Sequence, residues 1–163
     1  LVTHEPRDDR KLMISQKAEE DIRISGVPEI SFRASMVGGG IISLILAYLG
    51  EDRRLFSEER EEESGEIFSF RIEEEPSAYK VLTRAHLNVQ NRGSIFCKED
   101  IKPGEMYDFS VVMEPADYTI KRGHEIALII FGADLEQTLR PYEVAHIEVD
   151  LDSLEARIPL AKR

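Results

Sequence analysis

Apolar and polar residues alternate with period two through most of this chain. Leu12 and Ile14 alternate in KLMIS, Ile22 and Ile24 in DIRIS, and Ile30, Phe32, Ala34 and Met36 fall on one face of PEISFRASM. Period two is the spacing that places side chains on one side of a strand. Phe68, Phe70 and Ile72 form a further set, followed by Val81, Thr83, Ala85, Leu87 and Val89 with Arg84, His86 and Asn88 opposite. Tyr107, Phe109, Val111 and Met113 align in MYDFSVVM. IISLILAYLG, after Gly38-Gly39-Gly40, and the run Ile126 to Phe131 are apolar at successive positions, as strands covered on both faces are. YEVAHIEVDL reads as a last strand. With no amphipathic run long enough for a stable helix, roughly nine or ten strands at this spacing predict an all-β fold, an antiparallel jelly-roll β-sandwich.

Breaks in the pattern mark the turns. Arg122-Gly123 and Pro103-Gly104 are tight turns, because glycine reaches positive φ without a Cβ clash. EDRRLFSEEREEESGE, from Glu51 to Glu66, is rich in acids and poor in large apolar residues, so it reads as a solvated hairpin loop. LVTHEPRDDR and IPLAKR read as frayed ends. Residues 1–20 are thus an N-terminal connection with the first strand, 21–160 a single sandwich domain, and 161–163 a tail.

Length and charge narrow the function classes. A chain of 163 residues is one domain with a core of its own. Its formal net charge of -11 repels phosphate backbones and anionic lipid, so neither nucleic acid nor membrane is expected as a partner. The single cysteine, Cys97, can form no internal disulfide, which fits a cytoplasmic location. Leu1 opens the chain without an initiator methionine or a signal-peptide pattern, and a longer parent chain is expected.

Candidate chemistry is sparse. A hydrolytic serine on an α/β scaffold needs a strained Gly-x-Ser-x-Gly elbow, which the sequence lacks; Ser94 follows Gly93, but the second glycine is missing. Cys97 has no histidine placed beside it by the sequence. His4, His86, His124 and His146 lack the spacing of a zinc site, and the acidic stretch lacks that of a calcium loop. His146 reads as a partly buried strand histidine. The triple glycine precedes a β-rich run, not a helix, and is no phosphate cradle. His124, ten residues before Asp134, poses the sharper question of a catalytic pair. Local physics makes it the turn residue that opens a buried strand, solvated and with a ring nitrogen on a backbone carbonyl. Sugar binding, the common alternative for a jelly roll, leans on aromatic platforms, and with no tryptophan the five tyrosines are a weak substitute.

Four stretches in order, ISGVPEISFRASM, YKVLTRAHLNVQNRGS, EDIKPGEMYDFSVVMEPADYTIKRGHEIALIIFGADLEQTLRP and EVDLDSLEARIPL, carry a family likeness. The chain resembles the C-terminal non-catalytic β-sandwich domain of Xaa-Pro dipeptidyl-peptidases, within the wider cocaine esterase and glutaryl acylase type of serine hydrolases. The resemblance implies a galactose-binding-domain-like jelly roll. It also implies structural roles for Asn88, Gln90, Asn91 and Arg92 of LNVQNR, for Gly123 and His124 at the strand opening, and for Asp134, Thr138 and Arg140 of the late Asp-x-Glu-x-Thr-x-Arg. No catalytic residue, metal ligand or cofactor site carries over, since the family's triad lies in a preceding α/β-hydrolase domain. That domain is the implied partner, and peptide substrate is reached only through the parent. An esterase or acylase parent is the neighbouring alternative. Two runs apolar on both faces lead us to expect an apolar patch on one sandwich face that meets the hydrolase domain.

Overall fold

A computed structural model of the protein describes residues 11–38, 40–61, 67–132, 134, 137–138 and 145–161. The described residues form nine strands: β1 (Lys11–Lys17), β2 (Ile22–Gly26), β3 (Glu29–Val37), β4 (Ile41–Glu61), β5 (Ile67–Asn88), β6 (Met106–Val112), β7 (Ala116–Ile120), β8 (Glu125–Phe131) and β9 (His146–Arg157). All their ladders are antiparallel. One sheet has the order β1-β8-β4-β5; β6-β3-β9 and the pair β2-β7 make up the other layer.

The core lies between the layers because alternation points one set of side chains inward. Ile30, Phe32, Ala34 and Met36 of β3 and Phe109 and Val111 of β6 face Ile42, Leu44, Leu46 and Tyr48 of β4 and Leu128 and Ile130 of β8, all buried in one cluster. Fully burying a side chain of this size contributes about 1.5–3 kcal/mol. The successive apolar positions of β4 and β8 are also accounted for. Ile45, Ala47 and Ile129 form a second buried cluster on the outer face of the same sheet, with Leu49, Val81 and Phe131 packed against it.

Several expectations fail for identifiable reasons. The two strands expected around Phe70 and Leu87 are one 22-residue strand, β5. The solvated loop expected over 51–66 is strand through Glu61, because β4 continues past the sandwich as a ribbon paired only with β5; residues 62–66 lie outside the described residues. Leu82 is an extra residue between the pairs Leu46↔Thr83 and Ala47↔Val81. This bulge reverses the facing of β5, so Val81 joins the outer cluster while Leu82, Ala85 and Leu87 pack on the main core. β7 went unforeseen although Ala116, Tyr118 and Ile120 alternate with Asp117 and Thr119, because the run is only five residues long. Its central Tyr118 pairs with Ile24, which is fully buried. The segment Ile158 to Ala161 is not frayed: Pro159 accepts a hydrogen bond from Ser25 N at 3.0 Å, and Ala161 N donates to Arg23 O at 2.9 Å.

Candidate functional site

At the end of the sandwich where β3 passes to β4, the segment after β5 is tied down residue by residue. Asn88 Oδ1 accepts from Gln90 N at 3.0 Å and caps a single 3-10 turn, Val89 to Asn91. Val89 is fully buried, and its amide donates to Gly40 O at 3.1 Å. Gln90 O accepts from Glu99 N at 2.7 Å, closing the loop at its base. The Asn91 side-chain amide fills the loop, directing Nδ2 at the carbonyls of Ser94, Ile95 and Cys97 at 3.2, 3.4 and 3.1 Å. Arg92 lies 4.4 Å over the Tyr107 ring and pairs with Glu99 at 2.5 Å. Tyr107 OH in turn accepts from Lys102 N at 3.1 Å and donates to Glu105 at 2.9 Å, which holds the Glu105 carboxyl below its usual range.

The loop so fixed turns two large apolar side chains outward. Phe96 is 89% exposed and Ile95 78%, the most exposed large apolar residues among those described. Half-exposed Val37, at the end of β3, and Met106, paired with Ser35, belong to the same end of the sandwich. On the outer face of the β1-β8-β4-β5 sheet, where the doubly apolar runs led to an expected patch, Ile45, Ala47 and Ile129 are buried and Met13, paired with Ile129, is half exposed. Nothing singled out Ile95 and Phe96 in the sequence, although an Ile-Phe pair inside the polar NRGSIFCKED was a usable signal. Cys97 beside them is a free, exposed thiol.

The late motif comes to the same end. Asp134 is buried and pairs with Arg84 at 2.6 Å, and Thr138 folds back on it, its amide and hydroxyl donating to Asp134 O at 2.7 and 2.9 Å. Arg140 lies outside the described residues. Nearby, Ser43 and His86 approach to 3.2 Å, the one serine-histidine hydrogen bond among the described residues. The hydrogen-bond polarity is wrong for a nucleophile and its base. Ser43 Oγ donates its only proton to Gly132 O at 2.7 Å, so His86 Nδ1 must donate to Ser43 instead of accepting from it, and Ser43 is fully buried.

His124 stands at the opposite end, after the turn in which its amide donates to Lys121 O at 3.1 Å and Gly123 takes φ +86. Its Nδ1 meets Tyr48 OH at 2.6 Å, not a backbone carbonyl as expected, and the two rings stack with centroids 5.3 Å apart. Asp134, ten residues on, lies at the other end of the sandwich and pairs with Arg84. Two cations and one carboxylate surround Tyr48: Arg54 sits 4.6 Å over its ring, and Lys121 pairs with Asp52 at 2.8 Å. Burial, and then Asp52, push the Tyr48 hydroxyl above its ordinary pKa; the Lys121 hydrogen bond holds Asp52 below its own. His146, expected to be partly buried, is exposed at the start of β9.

Comparison with known proteins gives the arrangement a context. A family model described as the X-Pro dipeptidyl-peptidase C-terminal non-catalytic domain matches residues 1–161. The Xaa-Pro dipeptidyl-peptidase of Pediococcus pentosaceus is 25% identical over 95% of this chain, and that of Lacticaseibacillus rhamnosus 29% over 86%. The chain spans only 21% and 19% of those two proteins. Among solved structures, an α-amino acid ester hydrolase superposes with a TM-score of 0.69 at 16% identity over 96% of this chain and 26% of its own. A CocE/NonD family hydrolase from Staphylococcus aureus gives 0.61 at 11% identity over 93% of this chain and 30% of its own, so both share the fold.

Proposed function

This chain belongs to the family of X-Pro dipeptidyl-peptidase C-terminal non-catalytic domains, and from that premise we propose that it is the docked sandwich of a larger serine peptidase. The parent releases Xaa-Pro dipeptides from peptide N-termini. The domain packs on the α/β-hydrolase domain, stabilises it and shapes access to its active site. The observation that carries this reading is a match over essentially the whole chain to relatives of which it makes up about a fifth. The site geometry agrees with a supporting role: motif side chains are spent on backbone carbonyls and ion pairs, and the closest serine-histidine contact has its proton pointing the wrong way. A free, exposed Cys97 fits a reducing, cytoplasmic compartment.

The test is the size and reactivity of the native gene product in its own cell extract. A species far larger than 18.6 kDa that is labelled by a serine-hydrolase probe and turns over an Xaa-Pro amide is expected. A product of this domain's mass that ignores the probe would end the reading, and a large product that cleaves esters but no Xaa-Pro amide would move the parent to the esterase or acylase group.

A further inference from the structure

We propose that Ile95 and Phe96 form an apolar knob that seats in an apolar socket on the catalytic part of the same polypeptide. The proposal rests on the reading above and names the contact through which the domain docks. Single exposed apolar residues are ordinary on protein surfaces, so exposure alone carries no weight. What sets this pair apart is that its exposure is built. The loop base is closed by Glu99 N on Gln90 O, its interior is filled by Asn91 reaching three carbonyls, and its flank is clamped by Arg92 between Tyr107 and Glu99. Phe96 N is itself held on Ser94 Oγ at 3.2 Å. A loop locked this way cannot fold its two large side chains back onto the sandwich. It also meets a partner with its ordering entropy already lost, which is how preorganised contacts gain affinity.

Two observations select the occupant. The chain makes up about a fifth of its curated relatives, so a body about four times its size belongs to the same polypeptide in those proteins. A second copy is the poorer candidate, because two chains of net charge -11 repel. The surroundings fit an interface between domains: Val37 and Met106 add apolar surface at this end of the sandwich, and a rim of Arg92, Lys98, Glu99 and Asp100 supplies polar groups at the loop's edge.

Cys97, next to Phe96 and exposed in this domain, is a built-in reporter. In the full-length native polypeptide, alkylation of Cys97 with N-ethylmaleimide, read at the peptide level by mass spectrometry, is expected to run on the order of tenfold or more slower than in the urea-unfolded chain. Phe96→Ser with Ile95→Ser is expected to remove that protection, and Phe96→Leu, which keeps an apolar knob, to retain most of it. A full-length Cys97 that reacts as fast folded as unfolded overturns the proposal, as does protection that survives the double serine change in a protein still active on its substrate. Protection that disappears on dilution identifies a second copy as the occupant and overturns the intrachain socket. A native product of only 18.6 kDa sinks the parent reading and the proposal together, whereas a large, active product with a reactive Cys97 sinks the proposal alone.

Discussion

Replacing Tyr48 with phenylalanine isolates the contact on which the place of His124 depends. Tyr48 is fully buried in the main core, and the change keeps its ring against Tyr118, His124 and Arg54 while removing one oxygen. That oxygen makes a 2.6 Å hydrogen bond to His124 Nδ1 and a 3.4 Å contact to Asp52, too long to count for much. A buried hydrogen bond contributes about 0.5–1.5 kcal/mol net, and stranding a buried partner adds about 1–3 kcal/mol. His124 is only half-buried and can recover water at Nδ1, so the second penalty is small and the expected loss is about 1–2 kcal/mol. For a chain of this length that is a fall in Tm of about 3–6 °C.

Urea unfolding of Tyr48→Phe, His124→Ala and the double variant gives the pair term directly. We expect a coupling of about 1 kcal/mol, and a value within ~0.3 kcal/mol of zero would refute the hydrogen bond as the anchor of His124. The pH profile gives a second check with a definite sign. Burial raises the folded pKa of Tyr48 above its ordinary 10.0, so the folded state holds this proton more tightly than the unfolded one does. The associated stability is fully present below pH 10 and is lost as pH rises through the folded value. The wild type should therefore weaken on the alkaline side more steeply than Tyr48→Phe.

Three further outcomes are expected. Gly50→Ala places a Cβ in the His124 ring at φ +135, a backbone angle costly for any side chain. A loss of about 2 kcal/mol or more, partly restored by adding His124→Ala, should appear in the same unfolding assay. Asp52 is held below its ordinary pKa by the Lys121 hydrogen bond, so its contribution is present above the unfolded value near 3.8 and is lost as pH falls through the folded one. Asp52→Asn should accordingly flatten the acid limb of stability between the two, and an unchanged limb would count against that ion pair. The purified 163-residue chain should leave Gly-Pro and Ala-Pro chromogenic amides intact; turnover that survives repurification and is abolished by a serine-directed phosphonate would contradict a non-catalytic role.

The strand content was legible because alternation is a local property with one physical cause, a core on one side of a pleated sheet. Ile30 to Met36 and Phe109 to Met113 announce their inward faces, and the doubly apolar runs of β4 and β8 announce the centre of a sheet with a cluster on each side. The turns at Gly104 and Gly123 were legible for the same local reason, since φ values of +76 and +86 suit glycine.

Tertiary structure decided what depends on partners distant in the chain. The bulge at Leu82, which turns Val81 to the outer face, appears only where β5 meets β4. The bridge of Leu160 to Ile24 forms only where Ile158 to Ala161 lies along β2, and the strand character of the acidic Glu51 to Glu61 appears only where it pairs across the ribbon. The same holds for chemistry. His124 bonds Tyr48, 76 residues away, and Asp134 bonds Arg84, 50 residues away, so the short spacing between the two said nothing about their chemistry. Exposure is the least local property of all. Nothing in the sequence alone marked Ile95 and Phe96 as exposed, and only the loop closed by Asn91 and Glu99 sets them outside the core.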